Sequence, residues 1–136
     1  MERAGFDALL AKREQREADR TRVGQLPIPG TEQYLEMVTP GDKTVMDIYG
    51  MLMSSGKAAD AIKASRRAIY DCCPALQDTA LHRELGCEAD PVAVVDQLFS
   101  VAEVDEMGGD VLRFLRLLPQ QGAAVDEDAA EETVKN

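Results

Sequence analysis

Four side chains with the chemistry to ligate a metal or act as a nucleophile fall within one short span: Cys72, Cys73, His82 and Cys87. A tetrahedral zinc site usually takes its ligands in close pairs, C-x-x-C or H-x-x-x-H. Here two adjacent cysteines precede the sole histidine and an isolated cysteine, and no such pair forms. Three is also an odd number, and neighbours in sequence are poorly placed to bridge each other, so a disulfide framework is not expected. The cysteines therefore read as small apolar residues, buried or half-buried, of a protein kept in a reducing compartment. No metal or cofactor is assigned.

Catalysis would need a base, a nucleophile and a pocket that excludes water. The chain has no Gly-rich phosphate loop, nucleophile elbow, H-E-x-x-H or EF-hand loop, and its many carboxylates show no recognisable pairing. The expectation is a protein that is not an enzyme, with no catalytic residues. With 25 acidic against 15 basic side chains, the net charge is −10 over 136 residues. That sign opposes binding to nucleic acid or to an anionic membrane, and leaves another protein as the natural partner. The one basic cluster is Lys63, Arg66 and Arg67. It reads as a solvated face, and a nucleic-acid-binding regulator is the weaker alternative. No run of 18 apolar residues and no secretory leader is present, which points to the cytoplasm.

The fold expected is mainly α: a small helical domain of four to five helices, with room for one short strand pair near residues 31–39 and flexible charged ends. Residues 1–30 form an N-terminal arm, in which a solvated helix over Phe6 to Arg22 carries only Phe6, Leu9 and Leu10 as apolar anchors. The arm ends in a linker, Val23 to Gly30, whose two prolines and glycines discourage regular structure. Residues 31–119 form the helical core domain. It starts with an extended segment, Thr31 to Val38, whose strand partner the sequence does not reveal. Thr39-Pro40-Gly41-Asp42 reads as a helix start with a threonine cap and proline in the first turn. Val45, Ile48, Tyr49 and Leu52 follow at helical spacing until Ser54-Ser55-Gly56.

A second helix covers about Lys57 to Cys73 and stops at Pro74, because the residue before a proline leaves the α region. A connection with one or two helical turns carries Leu76, Leu81 and Leu85. Asp90-Pro91 then starts a short helix running into Phe99, and Ser100 with Glu103 has the spacing of a capping box for the next. That last helix keeps its apolar phase through Gly108-Gly109 to Leu118, ahead of Pro119. Two glycines inside a helix cost about 1 kcal/mol each relative to alanine, so close approach of another helix or a hinge must justify them. Residues 120–136, with Asp126, Glu127, Asp128, Glu131 and Glu132 against Lys135, read as a disordered acidic tail.

This pattern resembles the phage tail assembly chaperones, in particular the XkdN-like group of prophages. The matching features are the charged helix ending near Arg22, the extended Gln33-Tyr34-Leu35-Glu36-Met37, and a helix ending at Cys72-Cys73-Pro74-Ala75-Leu76. Pro91-Val92 through Leu98-Phe99, then Ala102-Glu103-Val104 and an amphipathic Val111 to Leu118, complete it. The likeness spans residues 31–118 and lies in apolar spacing and turns. Ala102 stands where the family often has glycine, so its Gly-Glu signature is lost.

The resemblance implies a small protein that shields the tape-measure protein until tail-tube subunits polymerise around it. Its implied partners are the tape-measure protein and the tail-tube protein, with self-association as a further expectation. In many relatives a frameshift near the end makes a minority extended form, and the acidic tail would suit the short form. Methionines widen the apolar face of the helix after Asp42, and thioethers adapt to varied partners. The expected partner-binding residues are accordingly Met46, Tyr49, Met51 and Met53, flanked by Ile48 and Leu52 and joined by Phe99, Val104 and Met107. A structural module retained in the phage particle, such as a minor tail or head–tail connector component, is the alternative.

Overall fold

The computed structural model of the chain describes residues 1–54 and 56–119. The expected acidic tail, residues 120–136, lies outside the described residues. The fold is mainly helical with one two-stranded antiparallel sheet. In chain order the elements are α1 (Phe6–Arg20), β1 (Val23–Pro27), β2 (Tyr34–Val38), α2 (Asp42–Met53), α3 (Ala58–Cys72), α4 (Thr79–Glu84), α5 (Val94–Leu98) and α6 (Val101–Phe114). Short 3₁₀ turns at Pro74–Gln77 and Pro91–Ala93 lead into α4 and α5.

The central pair is α3 against α6, with α2 packed on the other flank of α3. Amphipathic periodicity accounts for the pairing. On α3 the inward row is Ala64, Ser65, Ala68, Ile69 and Cys72, and on α6 it is Val104, Met107, Gly108, Val111 and Leu112. Gly108 is the point of closest approach. A Cβ there would lie 2.9 Å from Ser65 Cα and nearer still to its Cβ and Oγ. Close helix contact is thus what Gly108 permits, whereas Gly109 would meet only the end of the Arg113 side chain, at 3.4 Å.

The capping box forms as its spacing predicts: Glu103 N–H donates to Ser100 Oγ at 3.2 Å, and Ser100 N–H donates to Glu103 Oε1 at 3.0 Å. The other two helix starts differ from expectation. The cap of α2 is Gly41 without a side-chain bond, and Thr39 Oγ instead donates to the Asp19 carbonyl at 3.4 Å. Asp90 likewise makes no side-chain cap, and Pro91 opens a 3₁₀ turn before α5.

Helix α6 ends at Phe114, before Pro119. Arg116 takes a left-handed conformation (φ 63°), while Leu117 N–H donates to the Leu112 carbonyl at 2.9 Å and Arg116 N–H to that of Arg113 at 3.0 Å. This pair of bonds is a Schellman turn, which folds Leu117 and Leu118 back onto the core.

The stretch read as a linker is a strand. Val23–Pro27 pairs with Tyr34–Val38 in register Val23↔Val38 to Pro27↔Tyr34, so the strand partner of Tyr34–Val38 is the segment just upstream. A two-stranded ribbon has only edge strands, and Pro27, at its end, needs no donor for a further neighbour. Gly24 is required by packing, since a Cβ there would meet the Phe114 ring at 2.9 Å. Leu26 on β1 and Met37 on β2 enter the core, and the chain is therefore tied to the body from Val23 onward, ahead of the boundary expected at residue 30. The turn between the strands uses Gly30 at φ 79°, which glycine adopts without steric cost.

Candidate partner-binding surface

Helix α2 carries more apolar residues than one helical face can hide. Ile48 is fully buried and Leu52 packs against the core beside it. The surplus falls on the opposite flank, where Met46, Tyr49 and Met53 are 71%, 47% and 63% exposed. Their spacing of three and four residues aligns them as one row along the helix. Met51 lies between the two faces and is half-buried.

Helix α1 supplies a second unpaired row. None of its residues is buried, and Phe6, Leu9 and Leu10 project into solvent. Its C-terminal half is tethered to the start of α2. Arg16 donates to Asp42 at 2.7 Å, Arg20 approaches the same carboxylate at 3.6 Å, and Arg116 reaches Asp19 at 3.1 Å. Each is an exposed pair, worth little singly, but together they fix the direction of α1. Arg16 and Arg20 meet the first residue of α2, while Lys12 lines a groove with Val45 and Met46, so the two helices run antiparallel. Going toward its N-terminus, α1 carries its apolar triplet in the direction in which α2 carries Tyr49 and Met53.

The groove between the helices encloses about 580 Å³ and ends at Leu115 and Arg116. Five cations line it, Lys12, Arg16, Arg20, Arg22 and Arg116, against two carboxylates, Asp19 and Asp42. Among the described residues neither Lys12 nor Arg22 has an ion pair. Lys12 donates to Gln15, and Arg22 lies 4.4 Å from the centre of the Phe114 ring and donates to the Phe114 carbonyl.

The remaining expected partner residues are not part of this surface. Val104 and Met107 are sealed in the α3–α6 interface at 1% exposure each, because α6 turns its heptad-like row toward α3. Phe99 is half-buried and lines a separate apolar groove of about 380 Å³ with Ile28, Leu35, Leu81 and Leu98. Leu35 and Leu98 are not among the residues expected at a surface. The alternation of Leu35 with Met37 in β2 was the available signal, since period two puts both on one face.

The residues capable of chemistry are built into the core. Cys72, Cys73 and Cys87 are free and buried. Burial pushes the Cys72 and Cys73 thiols up to about 12, with the neighbouring Cys73 and Asp71 adding to the effect on Cys72. Such thiols are protonated and inert at neutral pH. His82 is also buried, with Nε2 2.7 Å from the Leu76 carbonyl and its ring stacked at 6.1 Å on Tyr70. A carbonyl only accepts, so Nε2 carries the proton and the imidazole locks the 3₁₀ turn onto α4.

Among the described residues no three His, Cys, Asp or Glu side chains converge as a metal site, and no helix is long and apolar enough to cross a membrane. The basic trio of α3 is largely used internally: Arg66 pairs with Asp96 at 2.8 Å and Arg67 with Asp71 at 2.7 Å. No protein family, curated protein or solved structure matches this chain.

Proposed function

We propose that the protein is a phage tail assembly chaperone of the XkdN-like kind, binding the tape-measure protein in the host cytoplasm and keeping it soluble until the tail tube polymerises. The observation that carries this reading is the exposed apolar row Met46, Tyr49 and Met53 on α2, beside the uncovered triplet Phe6, Leu9 and Leu10 on α1. An amphipathic client helix laid along α2 would bury both rows, as helix-in-groove recognition does. Methionine side chains adapt to a client whose sequence varies along its length. A small contact of this kind favours fast release, which an assembly chaperone needs.

Co-expression with a long, helix-rich protein of the tape-measure type tests it. The client is expected in the soluble fraction with this protein, and in aggregates with a Tyr49→Asp/Met53→Asp variant of unchanged fold. Equal client solubility with and without the protein would refute the proposal. Mass spectrometry of purified particles separates the chaperone from a retained structural component, since only the latter stays in the finished tail.

A further inference from the structure

The groove between α1 and α2 has an excess of positive charge in a chain of net charge −10. Arg16 and Arg20 share one carboxylate, Arg116 takes the other, and Lys12 and Arg22 have no carboxylate partner among the described residues. We infer that this groove is the docking site of the chain's own acidic segment, Asp126 to Glu132. Two observations identify the occupant. The described chain ends at Pro119, three residues beyond Arg116, which itself lines the groove. The segment that follows then offers Asp126, Glu127, Asp128, Glu131 and Glu132 against one lysine.

Reach is sufficient. From Arg20 to Lys12 the groove follows α1 for about 12 Å at 1.5 Å per residue. The seven residues from Pro119 to Asp126 span up to about 23–25 Å when extended. The acidic run can therefore lie along the whole row of cations. Carboxylates there gain several charge-assisted bonds to arginine, the geometry that guanidinium groups favour. Because Met46 lines the groove and also begins the exposed apolar row, the docked segment covers one end of that row. The docking itself does not depend on which partner uses the remainder.

Paramagnetic relaxation enhancement on the full chain tests this with no partner present. A nitroxide on Ala130→Cys labels selectively, because the three native cysteines are buried. The expected result is broadening of Lys12, Arg16, Val45 and Met46, several-fold stronger than on α4 or α5. It should be strong at about 0.01 M salt, where the screening length is about 30 Å, and lost at about 1 M, where it is about 3 Å. Neutralising the five acids to Asn and Gln, or Lys12→Glu with Arg22→Gln, should remove it while the amide spectrum stays dispersed. Uniform broadening over all faces would overturn the inference. So would broadening that appears only when spin-labelled and isotope-labelled copies are mixed, which would place the acidic segment in a second copy.

Discussion

Gly108→Ala probes the contact on which the core depends. The new methyl would sit 2.9 Å from the Ser65 backbone and closer to its side chain, where carbon atoms prefer about 3.5–4.0 Å. Because a backbone atom blocks it, α6 must withdraw from α3 and loosen Val104, Met107 and Val111. Overpacking of this kind costs about 1–3 kcal/mol, and the gain in helix propensity returns about 1 kcal/mol. The net expectation is destabilisation by up to about 2 kcal/mol. Gly109→Ala makes the same propensity gain but meets only a movable guanidinium, so it should stabilise by up to about 1 kcal/mol. Urea denaturation reads the contrast directly. The variants differ by the overpacking cost alone, about 1–3 kcal/mol, so with a slope of about 1–3 kcal/mol/M their midpoints should differ by about 0.3–3 M. Adding Ser65→Gly to Gly108→Ala should recover part of the loss as a favourable coupling in a double-mutant cycle. If Gly108→Ala raises the midpoint as Gly109→Ala does, the close α3–α6 crossing is wrong.

Other perturbations address separate links. Unfolded cysteines lose their protons from about pH 9, while Cys72 and Cys73 in the fold hold theirs to about 12. The folded state then binds more protons, so stability should be full below about pH 9 and fall as pH rises toward about 12. Native thiols should also resist a thiol reagent until denaturant is added. Ser100→Ala removes half of the capping box and should cost about 1 kcal/mol by denaturant melt. Met53→Asp should change stability by no more than about 0.5 kcal/mol, as an exposed substitution does. Ile48→Asp, five residues away on the buried face, should abolish cooperative unfolding.

The sequence is readable wherever a local signal agrees with the packing. Ser100 and Glu103 form their capping box because its two hydrogen bonds need only the first turn of α6. The phase kept through Gly108-Gly109 predicted a helix there, and Ser65 is the neighbour that requires the first glycine. Long-range partners were less legible. Pro27 and Gly24 argued against a strand, yet the tight approach of Phe114 needs that glycine and the ribbon's edge admits that proline.

The α2 face was partly legible for a similar reason. Excess apolar width says that some residues must be left outside, and Met46, Tyr49 and Met53 are. Width alone does not say which elements of the body will cover Val104 and Met107, since that follows from the α3–α6 pairing. Phe99 stands at a helix junction facing the hairpin, and its position depends on a strand pairing that the sequence left unassigned.

Hydrogen exchange of the full chain, with and without a soluble fragment of a tape-measure-type helix, reads which face of the protein takes the client. New protection is expected on α1 and α2, with the amides of α3 and α6 changed no more than global stabilisation requires. Protection centred on the α4–α5 face, or none on α1 and α2, would contradict the proposed client surface.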